Sequence, residues 1–277
     1  MNRRKLLKYM AGLTAGISSL GLYTFLFEPK WVEFTHHEMK LPALPKSLTG
    51  AKLVQLSDIH IGPRFDWTYM KDAFAKVNGM QPDIVVYTGD YVSYKNEKQL
   101  TQLKEAVQYF PKGTKATVAS LGNHDYGKGW NDPNVADQIV KILEENAITV
   151  LRNKSTKIDG LKILGLEDYW GVEWNSAVAK TRLENDKPQL VLCHNPDVCD
   201  LPIWGSFEGY ILAGHTHGGQ VKPPFLPPPM LPVKNKKYSQ GHFKLDHRRQ
   251  LYINRAIGCL WPVRFNVRPE VTVFTLA

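Results

Sequence analysis

The chain has 277 residues, of which 43% are apolar and 22% charged, enough for one large α/β domain with an ample core. Thirty-five Lys and Arg against 26 Asp and Glu give a net charge of +9. That balance suits a phosphate-bearing substrate, an anionic membrane surface or nucleic acid alike, but no long basic block marks a nucleic-acid-binding tail, and no nucleic-acid partner is expected. Cys193, Cys199 and Cys259 are odd in number and lack C-x-x-C spacing, so they imply no disulfide framework. Cys193, inside an apolar run, reads as a small core residue.

Taken in chain order, the first element is unlike the rest. Arg3, Arg4, Lys5 and Lys8 precede YMAGLTAGISSLGLYTFL, an uncharged, moderately apolar 18-residue stretch at 9–26. A basic flank before such a stretch is an export signal or a single membrane anchor. No small-x-small cleavage site precedes FEPKWVEF, which favours an uncleaved anchor over residues 1–30. NRRKLLK, at 2–8, resembles the twin-arginine signal, which implies export of an already folded, metal-loaded protein.

The domain is expected over residues 45–277. AKLVQLSDIHIG and QPDIVVYTGDYV read as buried strands ending in polar turns, separated by the helical spacing of WTYMKDAFAKVNGM. The helix-like EKQLTQLKEAVQYF leads to the strand KATVASLGNHDYG and then to a helix starting at Pro133, with Asp132 as its cap. The second half is richer in strand: ITVL, STKI, LKILGLED, PQLVLCHN, EGYILAGH, GHFKLD, QLYINR and EVTVFTL, interrupted by one helix near NSAVAKTRLEND. This alternation predicts an α/β domain with layered sheets. The Pro-rich segment 222–238 is expected to be a long loop, either spacer or lid.

Polar residues terminate the apolar strands in a pattern. Asp58 and His60 end the first, Asp90 the second, Asn123, His124 and Asp125 the third, His194 a fourth, and His215 with His217 a fifth. If these strands lie side by side, their carboxyl ends bring the groups to one edge, where ligands bind in open α/β sheets. Asp58, His60, Asp90, Asn123, His194, His215 and His217 are too many donors for one tetrahedral ion. Two adjacent divalent ions sharing Asp90 would use them all. Oxygen and nitrogen donors without thiolate suit Mn, Fe, Zn or Mg.

The ordered series DIH, GD, GNHD, CHNPD and GHTHGGQ strongly resembles the calcineurin-like metallophosphoesterases over roughly residues 50–277. GHTHGGQ, the Pro-rich loop, INRAIG and RPEV are similar to the YaeI/YkuE branch, membrane-associated bacterial phosphodiesterases, which in turn resembles the calcineurin-like UDP-2,3-diacylglucosamine pyrophosphatase of lipid A synthesis. The resemblance implies a four-layer α-β-β-α sandwich of two mixed sheets. It implies that Asp58, His60 and His217 hold one metal, that Asn123, His194 and His215 hold the second, and that Asp90 bridges. Mn2+ is the expected pair, with Fe, Zn or Mg as alternatives. A hydroxide shared by the metals would attack a phosphodiester or pyrophosphate. His124 would face the substrate as an imidazolium, stabilising developing charge or protonating the leaving oxygen, with Asp125 orienting the ring or satisfying a local turn.

Departures narrow the reading. YVSYK follows Asp90, so the G-D-x-V-D-R-G signature of protein Ser/Thr phosphatases is absent; His124 stands where some lipid A pyrophosphatases of another branch carry arginine. Arg64 and Arg255 are candidate substrate contacts, each weighed against a surface charge or a structural ion pair. Asp168, Trp170 and Trp174 could wall an acyl groove or pack as rim, and His36, His37, His242 and His247 are expected to be solvated. Phe225, Leu226, Met230 and Leu231, beside Lys234, Lys236 and Lys237, could touch a bilayer or form an ordinary surface loop. The expected partners are therefore a phosphate-ester substrate, lipid-linked in one reading, and a membrane reached through the N-terminus. A bacterial membrane location leaves the face open. The competing reading, a non-catalytic envelope-binding protein, would be favoured by missing ligands, and none is missing.

Overall fold

The computed structural model describes residues 2–277. Helix α1 (Arg3–Leu22) is followed by strands β1 (Glu33–Met39) and β2 (Lys52–Leu56), helix α2 (Met70–Gly79), β3 (Ile84–Thr88), α3 (Lys98–Ala106), β4 (Ala116–Ser120) and α4 (Pro133–Glu144). Strands β5 (Thr149–Val150), β6 (Lys154–Ile158) and β7 (Leu161–Gly165) come next, then α5 (Ser176–Asp186), β8 (Leu190–Leu192) and β9 (Gly209–Ala213). Strands β10 (Gly241–Lys244), β11 (Arg249–Ile253) and β12 (Glu270–Leu276) close the chain.

Two six-stranded sheets form, in the orders β1-β12-β2-β3-β4-β5 and β10-β11-β9-β8-β7-β6. Both are mixed. In the first, β2, β3, β4 and β5 run parallel and β12 opposes β2; in the second, β7, β8, β9 and β11 run parallel and β6 and β10 oppose their neighbours.

The layers follow from the period of two along each strand. Leu53, Ile84, Val86 and Val118 turn inward to meet Ile163, Leu190, Leu192 and Leu212 between the sheets. Their neighbours Val54, Leu56, Val85 and Tyr87 face outward onto Phe74 and Val77 of α2, Leu100 and Leu103 of α3, and Ile139 and Leu143 of α4. Leu164, Val191 and Ile211 pack on Ala179 and Leu183 of α5. With both faces covered, the central strands must be apolar on both sides, and each fully buried Leu or Ile contributes about 1.5–3 kcal/mol. The result is the predicted four-layer sandwich. Asp132 caps α4 by accepting from the Asn134 N–H, with Pro133 in the first turn, as the sequence indicates.

Two boundaries differ from expectation. The sheet begins at Glu33 rather than after residue 45, because β1 pairs in parallel with all of β12. EFTHHEM carries no apolar run, since this edge strand is half exposed, and so it gave no strand signal. ITVL yields only the two-residue β5. All residues of α1 are unburied, and its end is tied to the domain by the Arg264 N–H donating to the Thr24 carbonyl (3.0 Å) and the Val267 N–H donating to Glu28 Oε1 (2.7 Å).

Parallel pairing places the carboxyl ends of β2, β3 and β4 on one edge, and those of β8 and β9 on the matching edge of the other sheet. Gln55 stitches the edges together: its Nε2 donates to the Ala213 carbonyl (2.9 Å) and to Thr88 Oγ1 (3.1 Å).

Candidate metal centre

Each strand leaves its sheet through a tight turn, and the turn residue is a donor. Asp58 (φ 54°), His60 (53°), Asp90 (58°), His215 (70°) and His217 (52°) all adopt left-handed backbone. Non-glycine residues there cost roughly 1–2 kcal/mol each and persist only where surrounding contacts over-determine them. Two glycines permit the close approach. A Cβ on Gly122 would lie 2.2 Å from Asp90 Oδ1, and one on Gly214 would lie 1.9 Å from Ser57 Oγ.

The left-handed turns also separate the two histidines of GHTHGGQ. Extended chain would send residues i and i+2 to one side, but the strand has already ended at Ala213. His217 instead joins Asp58 and His60, while His215 joins Asp90 and His194; within each triad the donor atoms lie within 4.8 Å of one another. In the first triad, His217 Nε2 is 3.0 Å from His60 Nε2 and 3.2 Å from Asp58 Oδ1. In the second, His194 Nε2 is 3.1 Å from Asp90 Oδ2 and 3.2 Å from His215 Nδ1. Asp90 Oδ2 also lies 3.5 Å from His60 Nε2, so this carboxylate faces both triads. Asn123 is buried with its Oδ1 lacking any partner.

Whether cations fit here can be decided from the hydrogen bonds behind the rings. His194 Nδ1 lies 2.7 Å from the Thr88 carbonyl and His215 Nε2 2.7 Å from the Pro232 carbonyl. A carbonyl can only accept, so these nitrogens carry the protons. Without a further proton, His194 Nε2 and His215 Nδ1 turn lone pairs on each other and on Asp90. An added positive charge, a proton or a metal ion, reconciles the three acceptors at such distances. Burial opposes a charged His194, yet Asp90 and Asp58 raise its pKa well above the usual imidazole value, the same demand expressed electrostatically. The orphaned Asn123 Oδ1 adds a further oxygen donor. These residues fit two divalent cations.

The model of the calcineurin-like phosphoesterase family matches residues 51–219, which contain all seven predicted metal ligands. The chain belongs to this family. Across its full length it is 31% identical to the uncharacterized metallophosphoesterase YkuE of Bacillus subtilis, covering 98% of that relative, and 30% identical to phosphodiesterase YaeI of Escherichia coli, covering 99%. It is 24% identical to the UDP-2,3-diacylglucosamine pyrophosphatase LpxG of Chlamydia muridarum, over 89% of each chain.

In this metallophosphoesterase, His124 sits half-buried at the rim, edge-on to His60 (centroids 5.2 Å) and to Trp130 (5.9 Å). Its backbone N–H donates to Asp90 Oδ1 (2.9 Å). Burial lowers its pKa to about 4 despite the nearby Asp90. Burial among these rings therefore works against the expected imidazolium, and the charge of Asp90 opposes that effect. Asp125 follows the turn alternative of the two expected for it. Its Oδ2 accepts from the Asp90 and Gly122 N–H groups and its Oδ1 from the Tyr91 N–H, all at 2.8 Å. It clamps two ligand-bearing turns together instead of holding the His124 ring.

The weaker candidates divide. Arg64 lines a cleft of about 330 Å3 together with His60 and His124. The Arg255 guanidinium is committed elsewhere: Nε lies 3.2 Å from Glu270 and a terminal nitrogen 2.8 Å from Glu33. The ion-pair alternative therefore replaces the site-edge role for Arg255. Its neighbour Ala256 has φ 69°, a left-handed position held without glycine. Trp170 lies edge-on to His215 (4.5 Å) and stacks on Trp130 (5.1 Å), forming an aromatic wall that reaches His124. Trp174 packs on Tyr169, and Asp168 Oδ1 accepts from the Trp170 and Gly171 N–H groups as a turn former. His36, His37, His242 and His247 are exposed as expected, and Cys193 is buried core.

The Pro-rich loop 222–238 does more than span. Pro232 orients His215, and the Lys234 and Asn235 N–H groups bond the Asp197 carboxylate, while Phe225, Leu226 and Met230 remain exposed. Thr88, Pro232 and Ser93, which bonds His60 Nδ1 (3.1 Å), escaped sequence reasoning. Two of them act through backbone carbonyls, which every residue has, so no sequence signal exists for them.

Proposed function

We propose that the chain is a dimetal-dependent hydrolase of phosphodiester or pyrophosphate bonds, acting on an amphipathic or envelope substrate beside a membrane. The observation that carries the reading is the pair of donor triads with opposed lone pairs, joined by Asp90 and completed by Asn123. Asp58, His60 and His217 hold the first cation; Asn123, His194 and His215 hold the second; Asp90 serves both. Mn2+ is the proposed ion in each. Bound divalent cations supply Lewis-acid polarisation and lower the pKa of coordinated water.

The chain's own groups do the rest. His124 faces the substrate and stabilises developing charge on a phosphoryl oxygen or protonates the departing oxygen, general-acid assistance being worth about 10²–10⁴ in rate. Arg64 contacts a phosphate of the substrate from across the cleft. The aromatic wall of Trp130 and Trp170 limits water on the far side. Metal analysis combined with hydrolysis of bis-p-nitrophenyl phosphate tests the reading. Two metals and metal-dependent turnover are expected; bound metal without turnover would instead favour a non-catalytic envelope-binding protein.

Attachment to a membrane rests on the helical stretch Arg3–Lys30, which α1 begins and which contains an 18-residue window of mean hydropathy 1.4, none of it buried. The twin-arginine-like NRRKLLK supports the outer face. The LpxG relatives favour a second reading, cleavage of UDP-2,3-diacylglucosamine, which requires the cytosolic face. Protease accessibility in intact spheroplasts, with an assay for UMP release, decides between them.

A further inference from the structure

The cleft beside His60 and His124 is lined by three cations, Arg64, Lys95 and Lys128, from three separate turns. Several basic side chains elsewhere are tied up in ion pairs: Lys115 with Asp159, Arg152 with Asp137 and Glu167, Arg249 with Asp246, Arg255 with Glu33 and Glu270. Arg64, Lys95 and Lys128 form no ion pair among the described residues. The Arg64 guanidinium carbon lies over the Trp261 ring, 3.7 Å from its centroid. A cation–π contact uses no N–H donor, so the guanidinium keeps its hydrogen-bonding fork for an oxyanion. Trp261 is itself fixed through its carbonyl, which accepts from Gln220 Nε2 (3.2 Å).

Charge sets the expected ligand. Asp58, Asp90 and one coordinated hydroxide would offset three of the four positive charges of two divalent cations, and the one that remains already matches a phosphodiester. Three further cations at the same opening exceed what a singly charged diester needs.

We propose that this cleft is a subsite for a second anionic group of the substrate, one that is held but not hydrolysed. The proposal rests on the phosphoesterase reading and names its substrate class: a phosphoester with another phosphate within reach of Arg64, Lys95 and Lys128. In hydrolysis water adds across the scissile P–O bond, its oxygen to phosphorus and a proton to the departing oxygen, while the second phosphate stays with its own product fragment. The second group can be the adjacent phosphate of a pyrophosphate link or a phosphate one sugar away along a chain.

The test uses the metal-loaded full chain with bis-p-nitrophenyl phosphate as the singly charged substrate. Two competitors separate the sources: ADP-ribose carries adjacent phosphates, and 5′-phosphorylated dithymidine carries phosphates a sugar apart. Inhibition constants are readable whether or not a competitor is turned over. In the Lys95→Gln/Lys128→Gln double variant, the inhibition constant of at least one competitor should rise about tenfold, equivalent to about 1.4 kcal/mol, while KM for the chromogenic diester shifts less than twofold. The competitor that responds identifies the spacing. Equal shifts for competitor and diester, or no shift for either competitor, overturn the subsite. Absence of diester hydrolysis in the unmodified protein would instead overturn the phosphoesterase reading on which it rests.

Discussion

The two donor triads use nearly the same chemistry but are held differently. The rings of His194 and His215 are backed by the carbonyls of Thr88 and Pro232, both at 2.7 Å. In the other triad, His60 leans on the Ser93 hydroxyl at 3.1 Å, and His217 Nδ1 is buried with no partner. A carbonyl fixes a tautomer; a hydroxyl accepts or donates and leaves the ring freer. The His60 triad also borders the open cleft, whereas His194 and His215 lie beneath Trp170 and the Pro-rich loop. One half of the centre is thus the more rigidly preorganised, and the other is the more open to the cleft.

The largest effect should come from the residue that the halves share. Asp90→Ala removes a donor from both triads, so turnover should fall by about 10³ or more, since Lewis-acid stabilisation is worth several kcal/mol, and bound metal should drop at both positions. Elemental analysis showing one position fully loaded would break the symmetry assigned to Asp90. His124→Ala should keep both metals and lose about 10²–10⁴ in turnover. Full activity in that variant removes His124 from the chemistry.

A smaller change addresses the comparison itself. Ser93→Ala should weaken the His60 triad's cation about 10–100-fold, as loss of a ligand's supporting hydrogen bond typically does, without touching the His194 triad. A chelator titration followed by metal analysis would then release one ion well before the other. Simultaneous release in the unmodified protein would show that the backing groups do not set retention. The smallest effect lies beneath the first triad, where the Ile257 and Gly258 N–H groups bond the Ser57 and Asp58 carbonyls. Ala256→Gly should relieve the left-handed strain next to that clamp and stabilise the fold by about 1 kcal/mol in a denaturant titration. An unchanged midpoint would mean that Ala256 stores no strain.

Much of this centre was legible because donors and strands are local features. An apolar run ending in DIH, GD or GNHD identifies both the strand and the side chains at its end; the structure gathers six of the seven donors into two triads and leaves Asn123 buried with its Oδ1 unpartnered. The four-layer order was legible for the same reason, since doubly buried strands must be apolar on both faces. Strand β1 was hidden because an edge strand needs no such run. Arg255 was misplaced because its partners, Glu33 and Glu270, are 222 and 15 residues away. The burial that works against an imidazolium at His124 comes from its neighbours, which no residue type announces.

By itself, the sequence determined the donor set, the layered α/β architecture and the family, because residue type, strand periodicity and motif order are all written along the chain. Only the tertiary structure decided which donors share a cation. His215 and His217 are two residues apart yet serve different triads, since left-handed turns aim each ring at a different strand end. It alone decided which nitrogens carry protons, through carbonyls from distant turns, and which cations remain unpaired around the cleft. Those outcomes depend on contacts between segments far apart in sequence, and such contacts exist only once the two sheets have packed.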